Sequence, residues 1–517
     1  MTYLRTWMIG VLSALVLAAC GGGGSQNLTS QGPPARGTLL KNPPALVTVL
    51  SAATLLLDLN AAAGNNAQLL ALVPIPVCDV AVYHIEYETV GGANEATTAS
   101  GALMVPLGAD AKCSGGRPIL MYAHGTTTDR AYNIADVQNP QNAEGLFLAF
   151  FFATQGDIVV APNYAGYDTS TLPYHPYLVA DQQSKDMIDA LTAARSALPV
   201  ASAGQTRDGG KLYVTGYSQG GYVAMATERA LQAAGTPVTA AAPLSGPYSL
   251  AAFVDAVFGG EVNASGPESA ALLVTGYQKS YGNIYANPGD VFESQYATGI
   301  EGLLPSTTPL SDLYAQGKLP ANALFSSTPP DAASASITPA TQPANLATVF
   351  AQGFGAGNLV TNAYRLSYLN DARANPDGAW PTTTTGVAAA TPGLRMRQVL
   401  AQNDLRDWNP TAPTLLCGGN SDPTVFWFNT QFMQGYWSAH APANAPISVL
   451  DVDSTATAGD PYGTIKTRFA LAKDLVAANA VAQGATDGGA AAVLAVYHAG
   501  LVPPFCLAAA ASFFAAH

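Results

Sequence analysis

The chain is 517 residues long, and 49% of its residues are hydrophobic while only 11% are charged. This length and composition allow a large buried core and exclude a fibrous or disordered chain. The formal net charge of -13 excludes a general affinity for nucleic acid, because polyphosphate would be repelled and no cluster of Lys and Arg interrupts the acidity.

Residues 1–19 are predicted to be an export signal, because Arg5 precedes an apolar run that is too short to span a bilayer. The last residues of this signal and Cys20 resemble the bacterial lipobox, in which the cysteine carries the lipid. The alternative is an ordinary secretory signal that contains a cysteine. Residues 20–43 are rich in Gly, Ser, Gln and Pro and are predicted to be a flexible tether. Position 21 is not Asp, which favours anchoring in the outer membrane, and we expect membrane contact only through this lipid.

The first part of the folded chain is predicted to contain helices and then a strand pair. Residues 44–72 are rich in Ala and Leu with helical spacing, which predicts one or two helices packed on the domain. Residues 80–89 and 97–106 are alternating or apolar and flank a turn with two glycines, so they are predicted to pair as antiparallel strands.

From residue 117 onward, predicted strands alternate with helices, which is typical of a mostly parallel sheet covered on both faces. The strands are residues 117–123, 157–162, 211–216 and 238–244. The helices are residues 142–154 and 180–197, and a third helix opens directly after residue 216 and runs to about residue 234. In such a doubly wound sheet, ligands bind beyond the carboxyl ends of the strands.

This rhythm breaks at residues 251–410, which we interpret as an inserted cap between two parts of one core, residues 44–250 and 411–517. Short helical pieces are predicted at residues 344–350 and 362–370, and residues 326–343 are expected to be a lid segment or a surface loop. Predicted strands then resume at residues 413–417 and 447–452. Helices are predicted at residues 425–438 and 464–483, and a final run extends through His498 to residue 514.

A nucleophile motif lies at the end of the third predicted parallel strand. Its sequence is Gly216-Tyr217-Ser218-Gln219-Gly220. A strand, this motif and a helix in succession are typical of the elbow that holds a reactive serine on a strained turn. We therefore predict that Ser218 is a nucleophile.

A serine hydroxyl needs a base and a carboxylate that orients the base, and in this arrangement they follow the serine in the order acid, then histidine. Of the histidines after Ser218, we predict His498 as the base, because His440 ends a helix and His517 is the last residue. Asp422 follows a predicted strand and is the predicted acid, although an aspartate there could also cap a helix. The reserve acids are Asp451 and Asp453.

A second loop is predicted to hold the negative charge that develops during the reaction. The residues after the strand at 117–123 are His124-Gly125-Thr126-Thr127. The amide of Gly125 or Thr126 is expected to join that of Gln219 in an oxyanion hole. The ring of His124 is expected to be structural.

Several motifs together resemble the secretory lipases, the lipase A-like enzymes of yeasts and their bacterial relatives. They are Tyr122-Ala123-His124-Gly125-Thr126, Ala161-Pro162-Asn163-Tyr164-Ala165-Gly166, His175-Pro176-Tyr177-Leu178 and the serine elbow. The resemblance covers residues 80–250 and returns around Asp422 and His498. It implies an α/β-hydrolase fold, a cap between the sixth and seventh strands, and hydrolysis of acyl esters, including triacylglycerols. The lipid anchor and the long segment before His498 depart from that pattern.

The role of two tyrosines and the state of the cysteines stay open in the sequence. Tyr164 and Tyr167 either line an acyl pocket or pack beneath the cap. Without Cys20, four cysteines remain in an oxidising compartment and allow three pairings. We favour Cys78 with Cys113 and Cys417 with Cys506, because each pair would brace elements that this fold places close together; the alternative is four buried free thiols.

We therefore expect a serine carboxylic-ester hydrolase that works through an acyl-enzyme, needs no cofactor or metal, and acts as a monomer. No metal is expected because the cysteines lack the spacing with His of a zinc site. A serine peptidase shares this machinery, but no acidic motif for binding an amino terminus is present. The sequence is also compatible with a polyester or polyhydroxyalkanoate oligomer hydrolase and, less well, with a non-catalytic surface-binding protein.

Overall fold

The computed structural model describes residues 35–63, 72, 74–139, 143–441 and 446–517. The predicted export signal, Cys20 and residues 21–34 of the tether lie outside these residues. The described chain forms one sheet in the order β1-β2-β3-β5-β4-β6-β7-β8-β9. Its strands are Ala45–Leu50 (β1), Asp79–Val90 (β2), Ala96–Leu107 (β3), Gly115–Ala123 (β4), Ile158–Pro162 (β5), Thr206–Tyr217 (β6), Ala240–Leu244 (β7), Thr414–Gly418 (β8) and Ile447–Asp451 (β9).

The sheet begins antiparallel and becomes parallel. Strands β1, β2, β3 and β5 pair antiparallel in that order, whereas β4 to β9 pair in parallel. The predicted hairpin of β2 and β3 and the predicted parallel strands are therefore present. The mostly parallel sheet with helices on both faces confirms the predicted α/β-hydrolase fold.

The prediction of helices over residues 44–72 is wrong for its first part, which is strand β1. Val47, Thr48 and Val49 are β-branched and favour a strand, and β1 pairs with β2 from Leu50 opposite Val80 onward. The helix Ala52–Ala63 (α1) follows directly. The pairing of β1 with β2 decides the conformation of this segment, and the spacing of its apolar residues alone does not indicate a strand.

Helices connect the strands and cover both faces of the sheet. In the core they are Ala143–Phe151 (α2), Ala180–Ala201 (α3) and Gln219–Ala233 (α4). Between β7 and β8 lie Leu250–Phe258 (α5), Gly266–Tyr281 (α6), Ser294–Ala297 (α7), Leu310–Ala315 (α8), Ala347–Gln352 (α9), Asn362–Ala374 (α10) and Arg395–Gln402 (α11). The last helices are Phe428–His440 (α12), Gly463–Ala482 (α13), Ala490–Val496 (α14) and Val502–Ala515 (α15).

The long segment between β7 and β8 is the insertion that the sequence indicates. It follows the seventh strand of this sheet rather than the sixth, because β1 adds a strand before the hairpin. Within it, residues 326–343 contain a short 3-10 helix, Ala332–Ile337. The fully buried Arg365 on α10 donates to the carbonyl of Ile337 at 2.8 Å, so this stretch is fastened to the rest of the insertion.

Two hydrophobic cores lie on opposite faces of the sheet, and side chains of the same strand alternate between them. On β4, Ile119 and Met121 face one core, while Leu120 and Tyr122 face the other. This double burial explains why the parallel strands are almost continuously apolar. The first core is covered by α3, α4 and part of the insertion, and the second by α2 and α15.

Two disulfides pair the four cysteines as favoured from the sequence. Cys78 is bonded to Cys113, and Cys417 at the end of β8 is bonded to Cys506 on α15. Among the described residues, the run Ala490–Ala515 is long and apolar enough to cross a membrane, but half of the window that passes this test is buried in the protein. Because this run contains Cys506 and covers the sheet, it is a core element of the fold.

Candidate active site

Ser218 lies on a strained turn between β6 and α4. Its backbone has φ 59° and ψ -123°, a conformation that costs free energy for any residue except glycine. The turn is pressed against the end of β4, because a Cβ on Gly220 would lie 1.9 Å from the carbonyl oxygen of Ala123, and one on Gly216 would lie 2.5 Å from the same atom. The two glycines of the motif are therefore required by the close approach of two backbones.

The structure brings Ser218, His498 and Asp422 within hydrogen-bonding distance of one another. His498 Nε2 lies 2.8 Å from Ser218 Oγ, and His498 Nδ1 lies 2.7 Å from Asp422 Oδ2. The other carboxylate oxygen of Asp422 accepts from the amides of Thr424 and Val425. Asp422 thus caps its own loop, as an aspartate at this place often does, and also faces the imidazole. In this arrangement an imidazole can take the proton of a hydroxyl while a carboxylate fixes its orientation.

His498 is held by contacts on either side. It lies in a π-helical turn, Tyr497–Leu501, between α14 and α15. The hydroxyl of Tyr217 donates to the backbone carbonyl of His498 at 2.5 Å. The neighbouring hydroxyl of Tyr497 donates to Asp453 at 2.7 Å and accepts from the amide of Ser421 at 3.3 Å. Tyr497, the residue before His498, is therefore linked directly to Ser421, the residue before Asp422.

The reserve acids and the long segment before His498 have structural roles. Asp451 accepts from the amide and the side chain of Asn420, and Asp453 is occupied by Tyr497, so neither faces the imidazole. The segment before His498 contains α13, whose buried Phe469 packs edge-on against Tyr497 at a ring distance of 5.7 Å. The departure from the expected spacing is thus a helix that supports the turn carrying His498.

Thr126 and Gln219 both line the cavity at Ser218, and their backbone amides have no acceptor in the part of the chain that the structure describes. The prediction that the amide of Gly125 is available is wrong, because that amide donates to the carboxylate of Glu144 at 3.0 Å. Thr126 and Gln219 remain the predicted donors of an oxyanion hole.

The loop after β4 rests on a cluster of buried rings. His124 is fully buried, stacks on Tyr164 at a ring distance of 4.1 Å, and has its ring nitrogens next to the carbonyls of Gly125 and Asn163. Burial lowers the pKa of His124 to about 4, which agrees with the expected structural role.

The prediction that Tyr164 and Tyr167 line the acyl pocket is corrected. Both are fully buried, and neither is among the residues that line the cavity at Ser218. Their hydroxyls donate to the backbone carbonyls of His124 and Thr127 at 2.9 and 2.7 Å. The two tyrosine hydroxyls therefore hold the backbone of the loop that follows β4.

His175, from the His-Pro-Tyr-Leu motif, supports the elbow. Its Nδ1 lies 3.0 Å from the carbonyl oxygen of Ala165, and its Nε2 lies 2.7 Å from the side-chain nitrogen of Gln219. Burial lowers the pKa of His175 to about 3, so the ring is neutral and its Nε2 accepts from Gln219. The side chain of Gln219 is thereby fixed behind the nucleophile.

A cavity of about 520 Å³ opens at Ser218 and His498 and extends beneath the insertion. Its wall is mostly apolar, and much of it comes from the insertion between β7 and β8. The apolar side chains from the insertion are Leu250, Phe253, Val254, Val257, Phe258, Leu273, Val274, Val291, Leu310, Leu324, Val360, Tyr364 and Met396. A chamber of this kind suits an extended apolar group bound to a carbonyl at Ser218.

Sequence reasoning missed these wall residues and several polar residues of the cavity, among them Glu144. Its signal was present, because Glu144 is the only acidic residue in a strongly apolar helical run. The other two histidines that follow Ser218 in the sequence do not line the cavity: His440 stacks on Tyr436, and His517 packs on Phe513.

No family model matches the sequence, and no curated protein matches it. Among solved structures, the rice cell wall degrading esterase LipA from Xanthomonas oryzae matches with a TM-score of 0.62 and 26% identity, over 90% of this chain and 98% of that chain. A hydrolase-like protein from Legionella pneumophila matches with a TM-score of 0.56 and 20% identity, over 80% of this chain and 91% of that chain. Lipase A from Candida antarctica is more distant, with a TM-score of 0.45 and 12% identity over 80% of this chain and 76% of that chain.

The doubly wound sheet, with a serine on the strained turn after β6, defines an α/β-hydrolase, and the likeness to LipA over nearly its whole length makes this protein a carboxylic-ester hydrolase. The chain is similar to the esterase LipA over 90% of its own length. The resemblance seen in the sequence motifs is thereby confirmed.

Proposed function

We propose that the protein hydrolyses carboxylic esters through an acyl-enzyme on Ser218, with His498 as general base and acid and Asp422 as the residue that orients it. The observation that carries this proposal is the position of His498, whose two ring nitrogens lie 2.8 Å from Ser218 Oγ and 2.7 Å from Asp422 Oδ2. A hydroxyl, an imidazole and a carboxylate in this order form the arrangement that activates a serine.

In the first half of the reaction, Ser218 Oγ attacks the ester carbonyl while His498 Nε2 takes the hydroxyl proton. The tetrahedral oxyanion accepts hydrogen bonds from the amides of Thr126 and Gln219. When the intermediate collapses, His498 returns the proton to the leaving alcohol, and the acyl group stays on Ser218. A water molecule then repeats these steps, with His498 as base, and releases the carboxylic acid.

The substrate class follows from the cavity wall. An apolar chamber of about 520 Å³ next to Ser218 favours an ester whose acyl part is an apolar chain. Because nearly half of the residues that line this cavity lie within residues 251–410, we propose that this insertion is a cap that sets the length of acyl chain accepted. Such a role places the protein among esterases and lipases rather than peptidases.

The two disulfides and the likeness to an esterase that degrades plant cell wall are consistent with an exported protein. We propose that the chain is attached through a lipid on Cys20 to the outer membrane, touches membrane only there, and acts as a monomer.

A fluorophosphonate probe, which labels an activated serine covalently, tests the nucleophile. We expect labelling of the wild type and none of Ser218→Ala. Ser245→Ala is the matched control, because Ser245 is also a buried serine at a strand end with positive φ (45°), yet its Oγ has no histidine as a hydrogen-bond partner in the described part of the chain. Loss of label in Ser245→Ala but not in Ser218→Ala would refute the assignment.

A series of p-nitrophenyl esters with increasing acyl length, with a peptide anilide beside them, tests the substrate class. We expect kcat/KM to rise with acyl length until the chamber is filled and then to fall. Faster turnover of the anilide than of every ester would instead support a peptidase.

A further inference from the structure

Glu144 lies in the cavity wall, next to the loop that follows β4. It lies in the first turn of α2, where the helix dipole favours a negative charge. Its Oε1 accepts from the amide of Gly125 at 3.0 Å and from the hydroxyl of Tyr122 at 2.8 Å. Its Oε2 accepts from the hydroxyl of Tyr132 at 3.4 Å. The carboxylate thus joins the end of β4, the loop after it and α2.

These contacts distinguish the two amides of the loop. The amide of Gly125 is turned toward Glu144, whereas the next amide, that of Thr126, has no acceptor in the described part of the chain. The side chain of Thr126 is fixed as well, because its hydroxyl lies 2.9 Å from that of Tyr177. The amide of Gly125 and the side chain of Thr126 are thus both held by hydrogen bonds. The direction of the Thr126 amide therefore depends on the hydrogen bond between Gly125 and Glu144.

We propose that Glu144 is a positioning residue for the oxyanion hole, which holds the Gly125 amide so that the Thr126 amide points at the developing negative charge. This inference rests on the proposed function, because it presupposes attack by Ser218. A carboxylate suits the task, since hydrogen bonds to a charged acceptor are shorter and stronger than those between neutral groups.

The environment of Glu144 distinguishes it from a purely structural acid. It lines the same cavity as Ser218, Thr126 and His498. Burial raises its pKa, while the contacts with Tyr122, the Gly125 amide and Tyr132 lower it, as does the charge of His498. A half-buried carboxylate beside the reaction centre is costly, and its contact with an amide of the active-site loop accounts for its presence.

Glu95 provides a matched control. It also accepts from a tyrosine hydroxyl, that of Tyr174 at 2.7 Å, and from a backbone amide, that of Ala93 at 2.9 Å. However, Glu95 lies just before β3 and is not among the cavity residues. Its removal tests what the loss of such a contact does to stability alone.

The experiment compares Glu144→Met, Glu144→Gln and Glu95→Met by kcat, KM and the inhibition constant of a trifluoromethyl ketone, which forms an oxyanion adduct with a serine. Methionine fills the space without an acceptor, whereas glutamine keeps an oxygen for Gly125. We expect Glu144→Met to lower kcat by about 100-fold, the lower range for losing one oxyanion donor. We also expect KM to change less than about threefold, because the donor acts in the transition state.

The inhibition constant of the ketone should rise in Glu144→Met by the same factor by which kcat/KM falls. Glu144→Gln should stay within about fivefold of the wild type, because the acceptor is kept. Glu95→Met should leave kcat, KM and the inhibition constant unchanged. Melting temperatures of all variants report whether each one is folded.

Three results would overturn the inference: an unchanged kcat in folded Glu144→Met, a loss confined to KM, or a loss in Glu144→Gln as large as that in Glu144→Met. If Glu144→Met fails to fold, folded Glu144→Gln decides the matter: because it keeps the acceptor, a fall in its kcat of about 100-fold would overturn the inference. Failure of the proposed function looks different, because then the ketone and the fluorophosphonate would not react with wild-type Ser218.

Discussion

The hydroxyl of Tyr217 donates a hydrogen bond of 2.5 Å to the backbone carbonyl of His498. Tyr217 is the residue before Ser218, so the elbow itself fastens the turn that carries the imidazole. The contact joins residues 281 positions apart in the sequence and is one of the contacts that set the distance between Ser218 and His498.

Replacement of Tyr217 by phenylalanine should remove the hydrogen bond that helps to position His498, while the ring still fills the same space. We expect Tyr217→Phe to lower kcat by roughly tenfold and the free energy of unfolding by about 1 kcal/mol, the net value of one hydrogen bond. Tyr83→Phe is the matched control, because the hydroxyl of Tyr83 also donates to a backbone carbonyl, that of Ala201 at 2.7 Å, and lies away from the cavity. Equal losses of kcat in both variants would contradict a role in placing His498.

Asp422→Asn should remove activity and preserve the fold. The asparagine oxygen can still accept from the amides of Thr424 and Val425, but its NH₂ group would face His498 Nδ1 and stabilise the wrong tautomer. We expect kcat to fall by about 10³–10⁴-fold with little change in melting temperature. Asp451→Asn, measured in parallel, should keep full activity; if it lost activity instead, the acid would be misassigned.

The two disulfides should differ in their effect on catalysis. Cys417 lies on β8, which leads to Asp422, and Cys506 lies on α15, which follows His498. Replacement of both by alanine should lower the free energy of unfolding by about 4.6 kcal/mol, the chain-entropy value for a loop of this size, and should also lower kcat.

The other pair, Cys78 and Cys113, serves as the control, because it joins the residue before β2 to the short 3-10 helix before β4 and bridges no element that carries Asp422 or His498. Its removal should cost a similar free energy of unfolding, about 4 kcal/mol, and leave kcat unchanged. Denaturant unfolding and steady-state kinetics on both double variants test this, and an equal effect on kcat would count against a link between the Cys417–Cys506 bond and the site.

Glu228 on α4 should make the protein less stable as the pH rises. Its carboxyl is buried with one hydrogen bond, from Thr414, and burial raises its pKa from 4.5 to about 8. Because the folded state holds the proton more tightly than the unfolded state, this contribution to stability is complete below about pH 4.5 and is lost as the pH rises to about 8.

Glu228→Gln removes this titration and keeps the shape of the side chain. We therefore expect the variant to gain stability relative to the wild type between about pH 5 and about pH 9, by an amount on the order of a few kcal/mol. Urea unfolding of the variant and the wild type at about pH 5 and about pH 9 measures the difference in their free energies of unfolding. A constant difference between variant and wild type would show that Glu228 does not titrate in this range.

Most of the core fold could be predicted from the sequence, because its strands and helices are local patterns. The apolar runs of β4 to β8 and the glycines around Ser218 each indicate their conformation without the rest of the chain. Strand β1 could not be predicted in this way, since its partner β2 is distant in the sequence and an Ala- and Leu-rich segment also suits a helix.

The candidate site was predictable where residue type restricts the chemistry, and not where packing decides. Few histidines follow Ser218, so His498 could be singled out, whereas Tyr164 and Tyr167 gave no sign that they lie beneath the loop. The occupied amide of Gly125 was also invisible, because Glu144 reaches it only after α2 has docked beside β4.

The long stretch of sequence between Ser218 and His498 has a consequence for the synthesis of the protein. His498 follows Ser218 by 280 residues, and the bond between Cys417 and Cys506 closes only in an oxidising compartment. In the proposed mechanism, a ribosome therefore synthesises the nucleophile Ser218 long before the base His498, and the nascent chain has no activated serine until His498 is in place. In the proposed mechanism, activity therefore begins only after His498 has been synthesised and α15 has docked on the sheet.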